Sequence, residues 1–306
     1  MESFDNITQH FPTITPELWK AKIVADLKGK SFDQLISEVD AGIEVLPFYT
    51  KEDNARHQLN IPARQNTGWL ITERIIVADL QQANQQALDA LQMGANAIVF
   101  DLQNKIYSAT SIQQLQEGIL TDIAPVFFEN LPGIVSVISI PKQQYAVEEL
   151  VVALQEGLQN NFSCTKFQFT VGTDYFLEIA KLRAFRWLWK QLCMLKDKPF
   201  ELFVFSDSLG KDMSSGNEYD NMLRNTTEAM SAILGGCDAL IINSHEVGVS
   251  VTDFGRRIAR NIHHILQHES YFNDAEDAVK GSYYAEYLTY QLAQKAWERF
   301  RYEGEF

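Results

Sequence analysis

The feature that most constrains this chain is an alternation of short β-rich runs with longer helical ones, sustained from about residue 66 onward. RIIVADL (74–80) leads into QQANQQALDALQMG, AIVFDL (97–102) into SIQQLQEGIL, and PVFFEN (125–130) is followed by IVSVISI (134–140) and the helical YAVEELVVALQEGL. FQFTV (167–171), ELFVF (201–205) and ALIIN (239–243) each precede a further helical stretch. Strands interleaved with helices imply a parallel sheet. Seven such strands over roughly 200 residues suit a (β/α)8 TIM-type barrel better than a doubly wound sheet. The doubly wound alternative expects a glycine-rich turn after its first strand, and that turn here reads ADLQQAN. An eighth strand is sought in WLIT (69–72) or KIYS (105–108). The link between PVFFEN and IVSVISI is too short for a helix, so an abbreviated barrel is expected there.

The first sixty residues have another texture. PELWKAKIVADLKG reads as a helix with a broken apolar stripe (Leu18, Ile23, Leu27), ended by Gly29. FDQLISEV reads as a second short helix, and GIEVLPFY as a lone extended run halted by its proline. Such elements make a poor core alone. Residues 1–60 are therefore expected to be a helical N-terminal extension that packs on something larger, and 61–306 a TIM-type barrel domain.

The composition narrows the function. Forty acidic against 26 basic side chains leave a net charge of −14. That disfavours nucleic acid, which needs a basic face, and anionic membrane surfaces for the same reason. No apolar run is long enough to span a bilayer. MESFDNITQHF lacks the basic start and apolar stretch of a signal peptide. Cys164, Cys193 and Cys237 are odd in number and show no metal-ligand spacing. A reduced cytoplasmic protein is expected.

Few motifs carry chemistry. His264 and His268 stand at i,i+4 with Glu269 adjacent, which could aim two imidazoles at a metal, but no third ligand is evident. NSHEVG (243–248) approaches the D-x-H-x-x-G pattern by which a histidine loop holds the cobalt of vitamin B12, with Asn243 where the aspartate orienting His245 would stand. Coincidence explains it better. SDSLGKDMSSGNE (206–218) is a polar loop at a strand end, where barrel enzymes place their active sites. Phe185, Trp187 and Trp189 read as helix packing.

Longer blocks go further. DYFLEIAKLRAFRWLW, LRNTTEAMSAILGGCDALIINS, RRIARNIHHILQHES and GSYYAEYLT, in that order and spacing, resemble the barrel domain of the methylmalonyl-CoA mutase family. WKAKIVADLKGKSFDQLISEVDAGIEVLPFYT resembles the family's leading segment, and RQNTGW its first barrel strand. The resemblance implies a barrel that carries adenosylcobalamin and threads an acyl-CoA along its axis. It also implies which positions react. Asn66 stands where catalytic chains have a radical-controlling tyrosine, Cys164 where an arginine clamps the substrate carboxylate, and Phe205 where a histidine ends the strand before the polar loop. A thiol offers no fork to a carboxylate, and a phenyl ring neither bonds nor protonates a thioester oxygen. Lys166 shares the parity of Cys164 and, with Gln168, keeps some polarity in that strand.

These replacements imply the family's smaller chain, a non-catalytic partner that binds no cofactor and forms a heterodimer with a large catalytic subunit holding the adenosylcobalamin. The resemblance leaves room for a homodimer when the chain is isolated. Two alternatives stand beside it: a divergent acyl-CoA mutase borrowing a separate B12 domain, and a module that binds acyl-CoA without reacting it.

Overall fold

The computed structural model describes residues 14–54, 59–64, 66–133, 135–209, 218–246 and 251–303. Helix α1 (Pro16–Asp26) starts on a capping Thr15, whose hydroxyl accepts from Leu18 N, with Pro16 in its first turn. It has no buried residue. FDQLISEV, expected as a helix, is instead a single 3-10 turn (Phe32–Leu35) running into β1 (Ser37–Asp40). That strand pairs antiparallel with β2 (Ile43–Val45), so the lone extended run has a partner. The turn between them needs Gly42 at φ +67°, a conformation other residues adopt only with strain. A short α2 (Lys51–Asn54) comes next.

The hairpin is anchored to the larger body of the chain. Asp40 takes the backbone N–H groups of Ala146 and Val147 at 2.9 and 3.0 Å. These are orphan donors in the first turn of the helix Ala146–Gln159. Lys295 Nζ donates to the Ala41 carbonyl and Tyr287 Oη to that of Glu44.

Beyond the hairpin, strands and helices alternate. They are β3 (Leu70–Ile76), α3 (Leu80–Gln92), β4 (Ala97–Asp101), α4 (Ala109–Leu115), β5 (Val126–Glu129), β6 (Ile138–Ile140), α5 (Ala146–Gln159), β7 (Lys166–Val171), α6 (Tyr175–Leu195), β8 (Phe203–Ser208), α7 (Glu218–Leu234), β9 (Ala239–Ile241), α8 (Asp253–His264) and α9 (Tyr283–Glu303). The parallel sheet has seven strands in the order β5-β4-β3-β9-β8-β7-β6. It curls into an abbreviated barrel of the TIM type. WLIT supplies no eighth strand, because it runs without a break into RII as β3. KIYS lies in the loop after β4. Strands β5 and β6 are the two edges. Their short link crosses the seam, where the Ser136 hydroxyl donates to the Phe128 carbonyl.

Two cores lie outside the sheet. Ile75, Ile98 and Phe100 pack with the alanine face of α3 (Ala83, Ala87, Ala90). On the other side Phe167, Phe169, Phe185 and Trp189 meet, with Phe167 edge-on to Trp189 at 4.8 Å. Gly157 makes room for that indole, since a Cβ there would stand 2.3 Å from Trp189 Cζ3. Helix α9, unforeseen in the sequence, covers α5 and α6 with Leu288, Leu292, Ala296 and Phe300, a spacing of four that keeps one face inward. Among the described residues no helix is long and apolar enough to cross a membrane.

Candidate functional site

The inner face of the curled sheet is where a barrel of this kind would hold a ligand along its axis. Side chains alternate across a strand, so β8 turns Val204 to the helices and Phe203, Phe205 and Asp207 inward. Phe205 is fully buried. Its ring meets Phe127 of β5 edge-to-face at 4.8 Å and Phe203 at 4.9 Å, while Phe127 and Phe203 lie 5.7 Å apart. Ala239 and Leu70 fill the same level, in register with Phe205 through β9 and β3. Three rings, one from the edge strand β5 and two from the interior strand β8, thus plug its interior.

An ion network lies over the plug. Arg74 of β3 bridges Glu129 of β5, with Nε at 2.9 Å, and Asp207 of β8, with Nη1 at 2.6 Å. The Gln168 carboxamide of β7 donates to Glu129 at 2.6 Å and accepts from Arg74 Nη2 at 2.7 Å. Asn243, just after β9, donates to Asp207 at 2.8 Å. Burial pulls the Arg74 guanidinium down, but Asp207 and Glu129 outweigh it and hold the group above its ordinary value. Four strands and the loop after β9 are tied here by one set of charge-assisted bonds. Of these residues, Gln168 and Asn243 stood out in the sequence, and Asp207 only as part of the polar run 206–218. Arg74, Glu129 and Asp207 lie on three separate strands, and no local spacing links them.

The three replaced positions take up different places. Asn66 is exposed near the start of β3, on a pocket of about 270 Å³ shared with Trp69, Phe203 and Asp238. Cys164 is buried two residues before β7, its thiol 3.6 Å from the carbonyls of Ser136 and Lys166. Phe205 is in the plug. All three cysteines are free and buried. Residues 210–217 of the polar loop lie outside the described residues, as do Gln65 and positions 247 and 248.

The histidines have varied surroundings. His264 and His268 stack with centroids 6.0 Å apart, and among the described residues no group of three metal-type ligands forms. His263 is the buried one: its Nδ1 accepts from the Trp69 indole at 3.0 Å, and burial pushes it down to about 3. Nothing in its sequence neighbourhood signals that role. His245 is 4% exposed, its Nδ1 has no bond among the described residues, and its ring stands edge-on to Phe254. Asn243 faces Asp207 and Ser208 rather than the imidazole. A cobalt ligand needs an accessible imidazole and a partner orienting it, so His245 and Asn243 do not fit a cobalamin histidine loop.

The EIAKLRA block is explained by a second buried cluster. Lys181 binds Glu149 at 2.7 Å, the Thr170 carbonyl at 3.0 Å and Glu178, and Lys142 bridges Glu178 and Glu149. Burial pushes Glu178 up, but the two lysines hold it below its ordinary value. Glu178 and Lys181, one turn apart on α6, fasten that helix to β7 and α5. The profile of the family described as methylmalonyl-CoA mutase matches residues 145–302, this region included. The chain belongs to the methylmalonyl-CoA mutase family.

Within that family, a methylmalonyl-CoA mutase small subunit of Porphyromonas gingivalis is 25% identical over 97% of this chain and 64% of its own length. That alignment runs over 393 positions, so the relative carries stretches this chain lacks. The chain spans under two thirds of that small subunit. A methylmalonyl-CoA mutase of Rhizobium meliloti is 42% identical over 49% of this chain and 22% of its own length. A methylmalonyl-CoA mutase large subunit of Propionibacterium freudenreichii is 38% identical over 43% of this chain and 19% of its own. Mutases of this family work with cobalamin.

Proposed function

We propose that this chain is a non-catalytic small subunit, pairing with a large methylmalonyl-CoA mutase subunit that holds the adenosylcobalamin and isomerises methylmalonyl-CoA and succinyl-CoA. The observation that carries the reading is the filled interior. Phe127, Phe203 and Phe205 occupy the axis along which an acyl-CoA would thread, and the Arg74 network lies over them. Cys164 offers no charge for a substrate carboxylate. Gln168, the polar residue that favoured a retained acyl-CoA site, has its amide bound to Glu129 and Arg74.

In this reading residues 61–306 are the packing domain and residues 1–60 the segment that embraces the partner in the cytoplasm. Helix α1 leaves Leu18, Trp19 and Val24 exposed, with Trp19 stacked on Phe48 at 5.1 Å. An apolar surface of this kind suits a protein interface. Co-expression with a large subunit and then size-exclusion chromatography should give a heterodimer. Absence of a complex at micromolar concentration sinks the proposal, as does isomerase turnover by this chain with a stand-alone B12 domain and no large subunit. The isolated chain is expected to give no heat with coenzyme A thioesters in calorimetry.

A further inference from the structure

Arg64 stands apart from the other buried cations. It is 6% exposed, and among the described residues no carboxylate comes within ion-pair distance of it. Its Nη1 reaches the carbonyls of Ile233 and Cys237 at 3.4 Å each, long for a charged donor, and its Nε has no bond among the described residues. Both carbonyls belong to the turn that ends α7, whose negative end favours a cation without neutralising it. Buried ions are ordinarily paired, and one that is not calls for a missing counter-ion. The neighbouring carboxylates are committed elsewhere: Asp238 to Arg186 at 2.6 Å, and Asp277 and Glu286 to Arg183.

Arg64 lines a cavity of about 150 Å³ at the N-terminal end of the sheet, outside its interior. Arg183, 2% exposed, lines it too, beside its partner Asp277 and the paired Arg186, and its Nε has no bond among the described residues. Lys280 and Glu276 stand on the exposed rim. The volume equals roughly five waters, enough for one tetrahedral ion and too small for a nucleotide. Forked guanidinium donors suit such oxyanions.

We propose that this cavity binds one free oxyanion of the phosphate class, held by the unpaired Arg64, with Arg183 adding only its Nε and Lys280 standing at the mouth. The site is independent of the reading of the barrel interior, and either can fail without the other. The test is thermal unfolding and calorimetric titration of the full chain in sodium phosphate, with sodium chloride at matched ionic strength as control. Phosphate should raise the melting midpoint beyond chloride. Lys280→Gln should weaken the dissociation constant about tenfold, the worth of one charged hydrogen bond. Arg64→Met should abolish the difference. Equal midpoints in the two salts overturn the proposal, as does undiminished phosphate binding in Arg64→Met. If Arg64→Met does not fold, Lys280→Gln decides, and an unchanged constant there overturns the site.

Discussion

Phe127 and Phe205 meet edge-to-face at 4.8 Å although one lies on an edge strand and the other near the middle of the sheet. Only a curled sheet brings them together, and their contact turns a potential channel into a core. Phe205→Ala should therefore cost about 3–5 kcal/mol, the usual loss for a buried phenylalanine. Urea unfolding would show it as a lower midpoint at unchanged slope. A loss below about 1 kcal/mol would mean the interior is loosely filled.

Arg74 is the cation that joins Glu129 to Asp207. Arg74→Met leaves two partly buried carboxylates facing each other, a change worth roughly 3–5 kcal/mol for a buried pair. The double variant Arg74→Met with Asp207→Asn should recover part of that loss. The double-mutant cycle reads the coupling directly.

Trp19 tests the extension. Since α1 buries nothing, Trp19→Ala should shift the stability of the isolated chain by no more than about 0.5 kcal/mol. Binding to a large subunit should weaken by roughly tenfold or more if the indole is an interface anchor. Analytical ultracentrifugation of the mixture separates the two effects. A chain destabilised by this substitution would place Trp19 in the fold's own core.

Glu228 gives a pH signature. Its carboxyl, which accepts the Leu209 N–H at 3.0 Å, is pushed up from 4.5 to about 7 by burial, with Glu178 and Asp207 adding to the rise and Arg224 opposing it. The folded state then binds this proton more tightly than the unfolded state does. Its contribution to stability is present below the unfolded value and falls away as the pH rises towards 7. Glu228→Gln should gain on the parent chain across that interval and hold its advantage above it. Melting midpoints at a series of pH values check this, and a constant difference between the two chains contradicts it.

Much of the fold was legible because strands and helices announce themselves locally. The apolar runs at 97–102 and 167–171 became β4 and β7 with little change. The helix after FQFTV was readable from end to end. The misreadings came where a neighbour decided the outcome. SEVD is strand because GIEV lies in reach to pair with it, and WLIT joins RII because β9 and β4 supply backbone partners along one continuous β3. For the candidate site, composition at Asn66, Cys164 and Phe205 was visible, while their surroundings were not.

By itself the sequence determined an alternating parallel architecture, an acidic chain and a family likeness in the EIAKLRA region, all properties of neighbouring residues and their periodicity. Long-range packing alone decided that neither WLIT nor KIYS adds an eighth strand to the seven, that Phe205 is part of a plug and that Arg74 joins Glu129 to Asp207. Those relations link residues more than fifty positions apart. Their energy depends on how the sheet curls, which no stretch of sequence specifies alone.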